Sequence, residues 1–328
     1  MDFKSIVGHE DIIKHFKRSI ELGKVSHAYI INGEVDSGKK MLAGAFAKTL
    51  QCEAGGTEPC GSCKSCIQYD SSNHPDIIMC THENASLFSV KEVREQIVGT
   101  ITTKPYRYKY KVYIVPDAHL MNKEAQNALL KSIEEPPEYA VIILLSANID
   151  KLLPTVLSRC MVLNTKPIRE RDMLQYLVRD MGLSEDRAYF CLDFAQGNLG
   201  KAIRLANNDE YVQVIDSVVS VMKKIHTLDV EDLAWAMSSI EKFKLSMDNY
   251  LDLMMMWYRD ALMLKVTGQP DKLMFKSEYT TMRKQAGLMS YEDIENKIDA
   301  IATAKKRLDV NANFDVTMEL LLLTLKEN

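Results

Sequence analysis

The sequence contains no apolar run approaching the roughly 20 residues that a helix needs to cross a bilayer, which argues against a helical membrane span. It has no surplus of one charge: 41 Lys and Arg face 45 Asp and Glu, a net charge of −4. That balance gives no overall attraction to nucleic acid or to an anionic membrane, so any such contact must come from a local patch. Internal repeats and low-complexity tracts are also missing, which excludes solenoids and disorder-dominated chains. The opening stretch MDFKSIVGHEDIIKHF is acidic and amphipathic and does not read as a signal peptide, so a cytoplasmic location is expected. What is present is 328 residues, 46% apolar and 26% charged, enough for two or three globular domains.

The first half alternates short apolar runs with helical patterns, as a parallel sheet flanked by helices does. The expected strands are AYII (28–31), DIIM (76–79), VYIV (112–115), VIILL (141–145) and MVL (161–163), each apolar enough to be buried on both faces. Between the third and fourth, NKEAQNALLKSIEE places apolar residues at 125, 128, 129 and 133, a helical stripe that Asn122 can cap and Pro136-Pro137 stop. After Pro167 the strand signal ends. Two short helical patterns and NLGKAIRLANN follow, and from about residue 210 everything reads helical. The methionines at 254–256 and the late leucines read as helix core.

GEVDSGKK, residues 33–40, lies between the first strand and a helix, where a phosphate-binding loop belongs. Gly33, Gly38 and Lys39 fit G-x-x-x-x-G-K-[ST]. Lys40 stands where the motif has a hydroxyl, and an ammonium cannot ligate Mg²⁺. The strand KVYIV leads to Asp117, the usual place of the Mg²⁺-coordinating acid, but the next residue, where hydrolysing ATPases place a Glu, is Ala118. Both catalytic positions are therefore lost. Nucleotide binding stays open, and hydrolysis is not expected.

Cys52, Cys60, Cys63 and Cys66 stand as C-x7-C-x2-C-x2-C in a Gly-, Pro- and Ser-containing segment. Four thiolates close a tetrahedral site and leave no open position, which predicts a structural Zn²⁺. Cys80, Cys160 and Cys191 lie on strand or helix patterns and read as small core residues. KPYRYKYK (104–111) interleaves tyrosines with Arg107, Lys109 and Lys111. It reads as an extended, solvated basic lead into the third strand, with nucleic-acid contact as the alternative.

Taken together, HAYIINGEVDSGKK, the cysteine segment, NALLKSIEEPP and LPTVLSRC resemble bacterial clamp-loader subunits of the AAA+ class, across the sheet region and the small helical region. The resemblance implies a RecA-like AAA+ domain at 1–167 with a zinc module at 52–66, a helical lid at 168–209 and a helical collar at 210–328. It implies zinc on Cys52, Cys60, Cys63 and Cys66. It also places Ser146 and Lys201 near the two sensor positions, and makes Arg159 a finger reaching a neighbouring motor subunit's ATP site. The partners it implies are the gamma/tau motor subunits and delta in a hetero-pentameric ring, with the sliding clamp and primed DNA met through that ring, and no membrane. The departures at Lys40 and Ala118 fit a non-hydrolysing ring subunit. The alternatives are an ATP-hydrolysing motor subunit and a stand-alone zinc-bearing DNA-binding protein.

Overall fold

The computed structural model describes residues 2–327 apart from 85, 208, 271 and 272. The chain forms two compact units, Met1–Arg204 and Leu205–Asn328. The helices that follow residue 168 belong to the same unit as the sheet as far as Arg204, and the second unit begins inside a helix.

All five expected strands form: β1 (Ala28–Asn32), β2 (Ile77–Met79), β3 (Lys111–Val115), β4 (Ala140–Ser146) and β5 (Met161–Asn164). They pair in parallel in the order β2-β3-β4-β1-β5. In register, Ala28 lies against Ile142, Tyr29 against Met161 and Val112 against both Ile77 and Val141. Alternation sorts the side chains into two cores. Ile30, Tyr113, Val115, Ile142 and Leu144 face one side; Tyr29, Ile31, Val112, Ile114 and Ile143 face the other. Each such side chain, fully buried, stabilises the fold by about 1.5–3 kcal/mol. Central strands β3 and β4 are buried throughout, and β1 is buried but for Asn32 at its end. The outer strands are not: β2 is half-buried and β5 has exposed ends, because each pairs on one side only.

Helices α1 (Glu10–Glu21) and α2 (Lys39–Leu50) cover one face, where Phe16 and Phe46 stack with ring centroids 4.1 Å apart. Helix α3 (Lys64–Asp70) carries the end of the cysteine segment. Helices α4 (Val90–Val93), α5 (Lys123–Glu134) and α6 (Pro154–Leu157) lie with the other core. Asn122 caps α5, its Oδ1 accepting from Ala125 N at 2.8 Å. Helices α7 (Glu170–Gln175), α8 (Glu185–Ala195) and α9 (Leu199–Asn207) follow the sheet.

The second unit contains α10 (Asp209–Lys224), α11 (Val230–Glu241), α12 (Met247–Thr267), α13 (Tyr279–Leu288), α14 (Tyr291–Asp309) and α15 (Phe314–Lys326). Met254 and Met256 are buried on α12, as the pattern predicts, beside fully buried Tyr250, Trp257 and Tyr258. Several buried polar groups here are paired, although the buried Tyr258 hydroxyl has no hydrogen-bond partner among the described residues. Trp257 Nε1 donates to Gln285 Oε1 at 2.8 Å, and Gln285 Nε2 donates to Met222 O at 2.8 Å. The buried Asp260 carboxylate accepts from Met274 N and Phe275 N. No helix among the described residues is long and apolar enough to cross a membrane.

Candidate functional site

In a parallel α/β sheet, ligands bind beyond the carboxyl ends of the strands where the winding reverses. The 33–40 loop is built there. Gly33 N donates to Ser146 O at the end of β4, and Thr165 N, just after β5, donates to Asn32 O. Asp36 and Gly38 take left-handed φ values of 62° and 82°, and Gly38 caps α2. Lys39 turns back on the loop: its Nζ donates to Gly33 O at 2.7 Å and to Glu34 O. Burial lowers the Lys39 pKa, while the carboxylates of Asp117, Asp36 and Glu34 oppose that shift. An incoming phosphate would meet those three carboxylates around a single partly buried lysine. Lys40 is exposed.

The loop is packed from outside by residues far along the chain. A Cβ on Gly33 would stand 1.7 Å from Thr165 Oγ1, and one on Gly200 would stand 2.2 Å from Asp36 O. Asn198 Nδ2 donates to Val35 O at 2.8 Å and to Glu34 Oε2 at 3.3 Å, and Arg204 forms an ion pair with Asp36. Lys201 points elsewhere: its Nζ lies 4.5 Å above the Phe194 ring. The cavity left between His9, Ser37, Thr165, Pro167, Gly197 and Asn198 is about 160 Å³. Small-ligand sites usually enclose about 300–1,000 Å³. Thr165, Asn198, Gly200 and Arg204 carried no sequence signal, because nothing at fixed spacing links them to the loop.

Asp117 adopts φ 48° after β3, half-exposed, with His82 Nε2 3.5 Å from its Oδ2. His82 Nδ1 contacts Asn84 O at 2.7 Å, so Nδ1 is the donor. Ala118 has no exposed surface and belongs to the same apolar cluster as Phe88 and Met121. Ser146 is buried, its hydroxyl donating to Asn148 O at 2.9 Å and accepting from Asn148 N at 3.1 Å. Its one proton is therefore spent on its own turn, and one lone pair is left over.

The four cysteines converge, their sulfurs all within 4.8 Å of one another, and Cys52 Sγ lies 4.0 Å from Cys63 Sγ. A tetrahedral ion with Zn–S bonds near 2.3 Å requires sulfurs about 3.8 Å apart, so the donor set fits Zn²⁺. Backbone N–H groups are aimed at the sulfurs: Cys60 N at Cys52 Sγ, Cys63 N at Cys60 Sγ, and Cys66 N at Cys63 Sγ. Hydrogen bonds from Ser62 and Cys63 lower the Cys60 thiol to about 6, whereas burial raises Cys66 to about 12. Glu58 anchors the segment through Lys17 (2.6 Å) and Phe3 N. Behind α3, His74 Nδ1 accepts from Asp76 N, so Nε2 carries the proton facing Ser65 Oγ at 3.1 Å. That polarity is the reverse of what activating a serine requires. Cys80 and Cys191 are buried and Cys160 half-buried, as core positions.

Arg159 follows α6. Its Nε meets Glu134 Oε1 at 2.9 Å, and Nη1 donates to Thr155 O and Ser158 Oγ at 3.0 and 3.2 Å. The side chain is 39% exposed, so the guanidinium is aimed from within while one side meets solvent. Buried Gln126 on α5, which sequence reading missed, supports this edge: it donates to Met121 O and Lys151 O and accepts from Leu153 N.

The 104–111 segment corrects the expectation of an extended lead into β3. Only Lys111 is in the strand, and it is buried, its Nζ donating to Thr100 O and Thr103 O. Residues 106–108 are folded over a single buried carboxylate, Asp76, which accepts all three of their backbone N–H groups at 2.6–2.9 Å. A chain that gives three successive N–H groups to one carboxylate cannot be pleated.

A parallel sheet in this order, with a G-x-x-x-x-G-K loop after β1 and an acid after β3, is the RecA-like core of an AAA+ protein, here joined to an all-helical unit. The family described as DNA polymerase III, delta subunit, matches residues 8–169. The chain is 29% identical to DNA polymerase III subunit delta' of Bacillus subtilis over 96% of this chain and 95% of that one. It is 27% identical to subunit gamma of Buchnera aphidicola subsp. Schizaphis graminum, over 98% and 94%. With subunit tau of Escherichia coli it shares 31% identity over 73% of this chain and 37% of tau. Its first half thus matches a DNA polymerase III subunit family, and along nearly its whole length the chain is similar to the delta' and gamma subunits.

Proposed function

We propose that this chain is the delta-prime-type member of a clamp loader: a ring subunit that does not hydrolyse ATP, supports loading of a sliding clamp onto primed DNA, and offers Arg159 to a neighbouring motor subunit. In this reading residues 168–209 form the lid, 210–328 the collar, and gamma/tau and delta subunits are its neighbours in a pentameric ring. Zn²⁺ on the four cysteines stiffens the 52–66 segment and takes no part in turnover. The observation that carries the proposal is the pairing of losses at the nucleotide loop: Lys40 replaces the Mg²⁺ hydroxyl, and buried Ala118 replaces the water-polarising carboxylate. Lys39, bonded to its own loop, and the carboxylates around it add to that reading.

Two measurements test it. Phosphate release by the purified chain should equal that of buffer; Mg²⁺-dependent turnover abolished by Lys39→Ala would instead favour a gamma/tau-type motor, a reading kept alive by the gamma and tau relatives. In a loader reconstituted with motor subunits, clamp and primed DNA, Arg159→Ala should assemble normally with stability within about 1 kcal/mol of wild type, the scale of its half-exposed ion pair with Glu134. Stimulated ATP turnover should fall, since a finger in trans is worth roughly 10³–10⁵ at the one site it completes. Wild-type loading by the assembled variant would remove Arg159 from the mechanism.

A further inference from the structure

Residues 104–110 precede β3, so they lie at the amino ends of the strands, the opposite end of the sheet from the nucleotide loop and Asp117. The segment is locked from beneath. Besides the three N–H bonds to Asp76, Gln51 Nε2 donates to Tyr110 O and Gln51 Oε1 accepts from Tyr110 N at 3.2 Å. Tyr108 OH donates to Gln68 Oε1 at 2.6 Å, while its ring lies 4.6 Å from that of His74. What this rigid base presents outward is Lys104, Tyr106, Arg107 and Lys109, all exposed, with Tyr106 at 86%. Beside it opens a cavity of about 400 Å³ whose walls include Arg107, Tyr108, Lys109 and Tyr110, with Glu53 the one acid among its lining residues. Glu53 pairs loosely with Arg107, at 3.3 Å between exposed groups, an ion pair that a stronger anion can displace.

We infer that this surface binds single-stranded nucleic acid: Lys104, Arg107 and Lys109 take backbone phosphates, and Tyr106 stacks a base. Cations alone would fit any polyanion. The aromatic residues choose the ligand, since a base offers a π-face to each ring and an acidic polypeptide does not. The Asp76 anchor fixes the backbone of residues 106–108 before a ligand arrives, so binding forfeits little backbone freedom there. On a chain of net charge −4 such binding must be local, and here the cations are displayed together.

The test uses the full chain and a fluorescein-labelled oligothymidylate, read by anisotropy across a salt series. The triple variant Lys104→Ala/Arg107→Ala/Lys109→Ala should bind at least about tenfold more weakly, and its log–log salt slope should shrink by about 2, at about 0.7 for each phosphate no longer neutralised. Tyr106→Ala should weaken binding about fivefold or more with the slope unchanged, the signature of an absent stacking partner. Removing three exposed lysines of the helical unit (Lys242, Lys276 and Lys284, each to Ala) should change neither. Unaltered metal content and melting temperature establish that the variants fold. The inference is overturned if the triple variant binds as wild type does. It is equally overturned if Tyr106→Ala has no effect and a polyglutamate peptide of equal charge displaces the oligonucleotide, which would assign the patch to an acidic polypeptide. Neither outcome bears on the ATPase or Arg159 measurements.

Discussion

The 33–40 loop and the 52–66 segment flank the same helix, α2, and have opposite histories written in their side chains. The cysteine segment retains every group that would touch its ligand: its sulfurs meet one another and backbone N–H groups, and Glu58 ties the segment to Lys17 and Phe3. The nucleotide loop lacks two groups that would touch a ligand, yet its backbone is held by Thr165, Asn198, Gly200 and Arg204. The lesson is that a motif can outlast its chemistry when its backbone is recruited into packing.

The sharpest break in that comparison is Cys63→Ser. Wild type should carry one zinc per chain by elemental analysis and the variant close to none, because three thiolates cannot close the tetrahedron. Structural zinc is worth about 10–16 kcal/mol to a zinc finger that has no other core. Here global unfolding should shift far less, since the sheet has its own two cores. A wild-type chain well short of one equivalent would end the zinc reading.

The next effect concerns the loop as a packing element. Gly200→Ala should destabilise by about 1–3 kcal/mol, because the new methyl meets the Asp36 carbonyl, a backbone atom with nowhere to move. Gly33→Ala meets the Thr165 hydroxyl, so Thr165→Ala should recover much of its cost. Denaturant melts of the four chains in that cycle measure the coupling. A neutral Gly33→Ala would mean that the loop is not packed as described. The smallest effect is expected for Arg204→Ala: its partner Asp36 is a third exposed and Arg204 itself largely so, which limits the loss to about 1 kcal/mol or less.

Much of the sheet domain was legible in the sequence. Strands 28–31 and 112–115 are near-continuous β-branched and aromatic runs, and Asn122 and Pro136 bracket α5 by local chemistry alone. The half-buried β2 and β5 were misjudged because composition reports apolarity and not which strands end up at an edge. The extended reading of 104–110 failed for a different reason. The carboxylate that bends it, Asp76, is supplied from the approach to another strand. At the candidate site, the groups of the G-x-x-x-x-G-K motif and the cysteines could be read because their spacing is itself the requirement. Thr165 and Arg204 could not, since only the fold brings them to residue 33 and residue 36. On α9 it is Arg204 that forms the ion pair with Asp36, while Lys201 lies over the Phe194 ring.

Ala118 gives the loss a direction in time. Its methyl is sealed in the cluster that holds Phe88 and Met121. A glutamate returning to that position alone would bring a carboxylate into an apolar enclosure, where the penalty for an uncompensated ion is several kcal/mol. A domain's whole margin of stability is only about 5–15 kcal/mol. The step back therefore removes a sizeable part of that margin before any chemistry can reward it, and the hydroxyl at position 40 would still be missing. On the proposed reading, losing the acid is a single step, whereas regaining it demands that neighbouring core residues change first. The arrangement works as a ratchet, and descendants of this chain should diversify almost anywhere sooner than they regain a water-activating acid.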